Sequence, residues 1–396
     1  METEQTKIIL KSGKDQSLRR FHPWVFSGAI KKIYGTPAEG DIVQVYDNKD
    51  ELLGIGHYGT GSIAVRILAF EAVSIDRNFW KSKLQKAYDY RVNMGIINNS
   101  TTNVYRLFHA EGDGIPGLII DFYNGVAVIQ AHSTGVHQNI EIFAEILKEI
   151  YGDSLTAIYD KSANTLHAHH NVEIENTHLF GEAESGIAIE NNLKFKVDWT
   201  EGQKTGFFVD QRENRKLLGK YAKNRKLLNM FCYTGGFSVY AMEGGAELVH
   251  SVDSSAKAID LVDENITLNF GDDKRHESIC VNAFDYLEDI KDKYDCIILD
   301  PPAFAKHQKV LNNALQGYKR LNQKALEQIA PGGILFTFSC SQAVSKENFR
   351  KSVFAAAANA RRNVKILEQL SQPIDHPINI FHPESEYLKG LVLYVE

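Results

Sequence analysis

Apolar and polar residues alternate along two short runs near the start of the chain, 42–46 (IVQVY) and 63–67 (IAVRI). A period of two places successive side chains on opposite faces of a strand. Glycine-containing stretches lie around these runs, as expected for turns between short strands. The pattern predicts a small β-barrel over residues 1–73.

A helical period replaces this alternation after residue 73. Apolar side chains recur at the spacing of one helix face at Phe79, Trp80, Leu84, Ala87 and Tyr88. Farther on, the runs GLIIDFY and VAVIQAHS flank Asn124-Gly125, a dipeptide that favours a two-residue hairpin turn. With a helix at about 138–150 and further strands, residues 74–196 are predicted to form a central α+β domain.

Short apolar runs alternate with amphipathic stretches in residues 197–396. The predicted strands are 226–231, 248–252, 278–282, 296–299 and 334–339. The predicted helices are 236–243, 256–269, 284–290, 311–329 and 346–360. Such alternation is typical of an α/β, doubly wound parallel sheet with helices on both faces. The last runs, VKILEQL and GLVLYVE, have no helix between them and predict an antiparallel hairpin at the sheet edge.

The bulk composition excludes several classes of protein. The 396 residues are 43% hydrophobic and 24% charged, which is ordinary for a globular protein of two or three domains. No apolar run reaches the ~18 residues of a membrane span, and the first residues lack the apolar core of a signal peptide. We therefore expect a cytoplasmic protein without a membrane partner.

The four cysteines are scattered, so the sequence predicts neither a disulfide framework nor a metal site. Four histidines between residues 166 and 178 are irregularly spaced and are interpreted as solvated or packed side chains. Cys280 and Cys296 fall inside predicted strands and are expected in the core, whereas Cys232 falls in a loop where it can contact a ligand passively.

The net charge of −6 does not favour nucleic-acid binding, but residues 1–35 carry +4 and the remainder −10. A basic segment on an acidic protein favours a local phosphate-binding face, to which Lys11, Arg19 and Arg20 would contribute. An ordinary solvated surface explains the same charges equally well.

A strand, a turn with adjacent glycines and a helix start follow one another in LLNMFCYTGGFS, residues 227–238. Glycine lets the backbone approach a ligand closely. Asp253 ends the next strand, and an acid about 20 residues after a glycine loop typically accepts hydrogen bonds from ribose hydroxyls. Asp285, after the third strand, either meets an adenine amino group or caps its helix. These features predict an S-adenosylmethionine site with the loop residues Asn229, Phe231, Tyr233, Thr234, Gly235 and Gly236.

Two further segments follow neighbouring strands. Asp300 begins DPPAF, where two prolines stiffen the turn, and Cys340 ends the next strand in FSCS. A thiolate and a carboxylate side by side suit methylation of carbon 5 of a pyrimidine. The thiolate adds to carbon 6, and the carboxylate shares a proton with ring nitrogen 3. The sequence does not identify the base that removes the carbon 5 proton.

With these motifs the chain resembles the RlmI-like family of ribosomal RNA large-subunit (23S) cytosine-5 methyltransferases. The resemblance covers essentially the whole chain and is most specific in GQKTGFFVDQRENR, residues 202–215, with NMFCYTGGFS, DPPAF and FSCS in the family order. It implies an N-terminal RNA-binding PUA domain around LRRFHPWVFSGAI, S-adenosylmethionine as the cofactor and Cys340 as the nucleophile. It also implies that 23S ribosomal RNA or a large-subunit assembly intermediate is the substrate, and that the protein is a homodimer.

The same resemblance places Phe208, Asp210 and Gln211 in one wall of the cofactor pocket and Lys204 at the RNA. Asp210 and Gln211 would equally serve to cap and orient the following helix. Many relatives carry a histidine after FSCS, where this chain has Gln342-Ala343. Two other functions stay open: methylation of a purine amine or ring nitrogen without a covalent adduct, and RNA binding without catalysis.

Overall fold

The computed structural model of the chain describes residues 6–170, 174–305 and 308–396. The chain forms two compact units, each assembled from separate stretches. Unit 1 contains Met1–Gly186, Val197–Phe207 and Ile374–Ser385, and unit 2 contains Ile187–Lys196, Phe208–Pro373 and Glu386–Glu396. The predicted domain boundary at residue 73 stays a prediction.

The first sheet of unit 1 has six strands in the order β2-β6-β5-β4-β1-β3. They are β1 Thr6–Leu10, β2 Trp24–Phe26, β3 Ile30–Tyr34, β4 Ile42–Tyr46, β5 Leu52–Tyr58 and β6 Ile63–Ala69, with the short helix α1 Gln16–Arg19. β1 runs parallel to β4, and the other pairs are antiparallel. Burial alternates along β4 as its sequence predicts, and Val43 and Val45 enter the core of this sheet.

The second sheet of unit 1 has five strands in the order β11-β10-β9-β8-β7. They are β7 Val104–His109, β8 Leu118–Tyr123, β9 Val126–Ala131, β10 Ala157–Asp160 and β11 Thr177–Phe180. Its helices are α2 Arg77–Asn93, α3 Ala110–Asp113, α4 Thr134–His137, α5 Ile140–Tyr151 and α6 Ala163–His170. The Asp76 carboxylate caps α2 by accepting from the Phe79 N–H at 2.9 Å. Asn124 and Gly125 both have positive φ, so the predicted hairpin turn is confirmed.

A two-stranded sheet, β12 Ser185–Glu190 and β13 Leu193–Asp198, precedes the large sheet of unit 2. The large sheet has the order β16-β15-β14-β17-β18-β20-β19. Its strands are β14 Lys226–Met230, β15 Leu248–Asp253, β16 His276–Cys280, β17 Cys296–Leu299, β18 Gly333–Ser339, β19 Val364–Ser371 and β20 Lys389–Val395. Its helices are α7 Arg212–Tyr221, α8 Gly236–Glu243, α9 Ala256–Phe270, α10 Ala283–Tyr286, α11 Leu311–Gln328 and α12 Lys346–Ala360.

The five strands β14 to β18 run parallel, and the last two form the predicted antiparallel hairpin. β20 lies between β18 and β19, and six of its seven residues are buried, whereas β19 is an exposed edge. The doubly wound α/β class is confirmed. Among the described residues, no helix combines the length and the apolar content that a membrane span requires.

Two predictions around β16 are wrong. The strand ends at Cys280 instead of residue 282, because the Asn282 side chain leaves it to cap α10, accepting from the Phe284 N–H at 2.9 Å. Helix α10 then ends at Tyr286, short of the predicted residue 290. Cys280, expected in the core, is exposed at the strand end, whereas Cys296 is fully buried as predicted.

Candidate active site

The ends of four parallel strands place the predicted site residues at one edge of the large sheet. The glycine loop follows β14, and Asp253 ends β15. Asp300 follows β17, and Cys340 follows β18. Because parallel strands all end at the same edge, the structure brings the cofactor loop and the two predicted catalytic groups to one side of unit 2.

The glycine loop turns sharply, since Phe231, Tyr233 and Gly235 all have positive φ, at 58°, 47° and 74°. Asp253 anchors this turn: its Oδ2 accepts from the Tyr233 N–H at 3.1 Å. The other carboxylate oxygen accepts from the Ser255 N–H at 3.0 Å. Each oxygen keeps a further lone pair, so Asp253 is still able to accept from ribose hydroxyls.

Hydrogen bonds of buried polar side chains stabilise the glycine loop. The Asn229 amide donates to Ser238 Oγ at 2.9 Å, and Ser238 Oγ lies 2.6 Å from Ser251 Oγ. Asn229 Oδ1 is buried and has no hydrogen-bond partner among the described residues. The Asn265 amide donates to the Thr234 carbonyl at 2.8 Å, which fixes the loop to α9. Sequence reasoning missed Asn265, which has no local signal.

A buried ion pair positions the segment that carries Phe208. Arg215 donates to both carboxylate oxygens of Glu190, at 2.9 and 2.7 Å, and both side chains are excluded from solvent. The same guanidinium donates to the Phe208 carbonyl at 2.8 Å. The Phe208 ring then meets the Tyr233 ring edge-on, with centroids 5.1 Å apart. Glu190 was not predicted from the sequence.

Gln211 links this segment to the Asp300 turn. Its amide nitrogen donates to Asp300 Oδ2 at 2.9 Å, and its amide oxygen accepts from Asn214 at 2.6 Å. The Tyr387 hydroxyl donates to Asp210 Oδ2 at 2.7 Å. Gln211 is the N-cap residue of α7, but its side chain makes no capping hydrogen bond to the backbone and instead holds the Asn214 side chain of that helix.

Cys340 lies beside the Asp300 turn. Its Sγ is 3.9 Å from the Pro301 carbonyl oxygen, and its side chain is partly exposed. The next residue, Ser341, accepts from the Ala305 N–H at 3.2 Å and lies 2.9 Å from the Tyr318 hydroxyl. These contacts hold the two loops together, so the carboxylate and the thiol keep a defined separation.

Lys389 is a functional candidate that the sequence did not reveal. It pairs with Ser339 across β18 and β20, and its ammonium donates to the carbonyls of Ser341 at 2.7 Å and Val344 at 2.6 Å. Burial lowers the pKa of Lys389 to about 8, and the neighbouring Cys340 opposes that shift. A cation therefore lies next to the predicted nucleophile.

Comparison with known proteins shows the family of this chain. Residues 105–387 match the family of S-adenosylmethionine-dependent methyltransferases, and residues 8–70 match a PUA-like domain. Over 394 residues the chain is 38% identical to ribosomal RNA large subunit methyltransferase I of Aeromonas hydrophila, covering 98% of each protein. The chain belongs to the ribosomal RNA large subunit methyltransferase I family. The predicted fold class, PUA-like domain and cofactor are thereby confirmed.

A second relative of this methyltransferase is about as similar in sequence, and a solved structure shares its fold. Ribosomal RNA large subunit methyltransferase I of Tolumonas auensis is 39% identical over 396 residues, with 98% of this chain and 99% of the relative covered. A solved structure assigned as a methyltransferase complexed with SAH is 25% identical, with a TM-score of 0.85. That match covers 98% of this chain and 100% of the other.

The other predicted site residues of the methyltransferase differ in their exposure and in their hydrogen-bond partners. Asp285 is exposed in the first turn of α10, and Asn282 is the cap, so the capping interpretation of Asp285 is wrong. In unit 1, Arg19 donates to Asp15 at 2.6 Å and also to Asp47 and Glu51, both at 2.8 Å. The Lys11 ammonium donates to the Gly28 carbonyl at 2.9 Å, whereas Arg20 and Lys204 are exposed.

Replacing Gly235 by alanine is expected to weaken S-adenosylmethionine binding by about 10-fold, or about 1.4 kcal/mol. A Cβ there would lie 3.0 Å from Val262 and would strain a left-handed residue, displacing the loop. Calorimetric titration with the cofactor measures the effect. Gly245→Ala is the control, since Gly245 also has positive φ but a Cβ would meet nothing closer than 3.9 Å. Equal affinities of the two variants would contradict the prediction.

Proposed function

We propose that this protein transfers a methyl group to carbon 5 of a cytosine in 23S ribosomal RNA, acting in the cytoplasm on the RNA or on a large-subunit assembly intermediate. The observation that carries the proposal is the Cys340 thiol beside the Asp300-Pro301 turn, at the same sheet edge as the glycine loop. The names of the relatives support the class of RNA.

The cofactor site fits S-adenosylmethionine by its donor and acceptor groups. Asp253 offers its carboxylate to ribose hydroxyls, and Asp285 is proposed to accept from the adenine amino group. The buried Asn229 Oδ1, the Tyr233–Gly236 turn and the Phe208 ring complete the wall. When bound, the cofactor supplies an electrophilic methyl group.

The reaction needs a nucleophile because carbon 5 of cytosine is itself weakly nucleophilic. The Cys340 thiolate forms a bond to carbon 6, and the ring electrons move so that carbon 5 becomes nucleophilic. Asp300 shares a proton with ring nitrogen 3, where negative charge develops. After methylation a base removes the carbon 5 proton, the bond to sulfur breaks, and the thiolate is regenerated.

Asp300 is held in a defined orientation for this role. Gln211 donates to one of its oxygens, and Asn214 fixes the amide of Gln211. Because Gln211 is uncharged, it orients the Asp300 carboxyl group without neutralising its charge.

The RNA contacts are assigned to the basic N-terminal segment and to Lys204. The exposed Arg20 and Lys204 suit phosphate contacts. Arg19 is less suited, because three carboxylates already surround its guanidinium. Removing Arg20 would then weaken binding to all RNA sequences alike.

Nucleoside analysis tests the proposed reaction. The purified protein is incubated with labelled S-adenosylmethionine and unmodified ribosomal RNA, which is then digested and separated by mass spectrometry. Labelled 5-methylcytidine is the expected product. A label on a purine would support amine or ring-nitrogen methylation, for which the DPPAF turn has some likeness to loops that hold an amino group. No label despite cofactor binding would favour RNA binding without catalysis.

Replacing Lys389 by methionine is expected to lower the methylation rate at pH 7 by about 10-fold. The ammonium interacts electrostatically with Cys340 and favours its thiolate form, and a nearby opposite charge shifts such an equilibrium by about 10-fold or more. Since the pKa of Lys389 is about 8, most wild-type protein carries the protonated Lys389 ammonium at pH 7. Measured from pH 6 to 10, the methylation rate of the variant should approach the wild-type rate at higher pH. A variant whose rate is lowered by the same factor at every pH would contradict this role of Lys389.

A further inference from the structure

Three potential metal ligands meet in unit 1, and none of them is among the predicted site residues. His22 precedes β2, and His382 and Glu384 lie in the stretch 374–385 that belongs to the same unit. One nitrogen of each histidine and one oxygen of Glu384 all lie within 4.8 Å of one another. His22 Nε2 is 3.5 Å and His382 Nε2 is 3.7 Å from Glu384 Oε2.

His382 is the observation that points to a ligand. Its side chain is 1% exposed, and neither ring nitrogen has a hydrogen-bond partner among the described residues. Burying an imidazole that has no hydrogen-bond partner costs free energy. Such a group in a native protein generally has an explanation, for example a bound ion.

The surroundings supply the outer contacts that metal-binding histidines commonly make. His22 Nδ1 accepts from the Trp24 N–H at 3.2 Å in one tautomer. In the other tautomer it donates to the Trp24 carbonyl oxygen, 3.4 Å away, and Nε2 then has a lone pair for a metal. The Trp24 ring lies edge-on to His382, with centroids 4.3 Å apart. Trp24 itself is fixed by donating to Glu111 at 2.9 Å.

We propose that His22, His382 and Glu384 form a zinc site. Two imidazoles and one carboxylate, with a fourth position left to water, are a common zinc ligand set. With metal–ligand bonds of about 2.0–2.2 Å, tetrahedral ligands lie about 3.4 Å apart, close to the two observed separations. Imidazole nitrogen favours zinc over magnesium or calcium. The ion fastens the 374–385 stretch to the first sheet of unit 1.

This site departs from the expectation of no metal. That expectation came from local spacing, and His22 and His382 are far apart in sequence. The site is independent of the methyl-transfer reaction, so its failure would leave the proposed function untouched.

Zinc binding to the full chain tests the site. The protein is treated with a chelator, desalted and titrated with Zn²⁺ by calorimetry, with bound metal measured by mass spectrometry. One Zn²⁺ per chain is expected at this site. Glu384→Gln and His382→Ala should each weaken binding by about 10-fold or more. Glu384 is 43% exposed at its side chain, so Glu384→Gln is expected to fold even if His382→Ala does not.

A second group of histidines provides the control. His167, His169 and His170 are close in sequence and offer another source of zinc affinity, and their side chains lie outside the described residues. Replacing all three by asparagine should leave the site's Zn²⁺ in place. Zinc should also change the fluorescence of Trp24, a response that Trp24→Phe removes. Loss of all zinc in the triple variant, or unchanged binding in folded Glu384→Gln, would overturn the proposal.

Discussion

Replacement of Cys340 by alanine is expected to lower the methylation rate by about 1,000-fold or more, while S-adenosylmethionine binds as before. In the proposed mechanism no bond forms to carbon 6 without the thiolate, and carbon 5 stays too weak a nucleophile to attack the methyl group. The cofactor loop and Asp253 belong to β14 and β15, so they are not disturbed by the change after β18.

Single-turnover assays with labelled cofactor measure this loss, and calorimetry measures cofactor affinity separately. Cys280→Ala is the matched control, because Cys280 is the exposed thiol at the end of β16 and takes no part in the proposed reaction. A Cys340→Ala enzyme with full turnover would remove the covalent mechanism. It would leave non-covalent transfer to an amine or ring nitrogen as the better explanation.

The Arg215→Met substitution is expected to destabilise unit 2 by about 3–5 kcal/mol. It leaves the Glu190 carboxylate buried without its partner, and removal of one member of a buried ion pair is strongly destabilising. It also removes the donor to the Phe208 carbonyl, so the segment that carries Gln211 loses its support. We therefore expect weaker cofactor binding as well.

Urea denaturation measures the stability change, with Lys216→Met as the control because Lys216 is the exposed neighbour on the same helix. In Glu190→Met/Arg215→Met no unpaired charge remains, and this double variant should recover much of the lost stability. If Arg215→Met unfolded at the same urea concentration as Lys216→Met, the ion pair would have no such role.

The elements with strong local signals were predictable from the sequence. Helices α8 and α12 have the predicted bounds, since α8 follows a glycine turn and the Ser345 side chain caps α12 by accepting from the Asn348 N–H at 3.1 Å. The order of the strands along the chain also placed Asp253, Asp300 and Cys340 at strand ends, because parallel strands share one edge.

Residues whose role depends on a distant partner were not predictable. Glu190 and Arg215 are 25 residues apart, and nothing local marks Glu190 as a buried carboxylate. Lys389 becomes a neighbour of Cys340 only because β20 pairs with β18, which brings Lys389 to Ser341, 48 residues away in the chain. Cys280 shows the opposite failure: its place inside a predicted strand suggested a core position, but the strand ends there in solvent.

The discontinuous make-up of unit 2 has a consequence for dividing the gene. A fragment starting at residue 197 would contain Arg215 but lack Glu190, and it would lack the rest of 187–196, which folds with unit 2. The same fragment would keep Val197–Phe207 and Ile374–Ser385, which fold with unit 1. Recombination between relatives at residue 196 would therefore pair Arg215 of one parent with Glu190 of the other. Crossovers at this point should yield fewer folded chimaeras than crossovers within exposed turns.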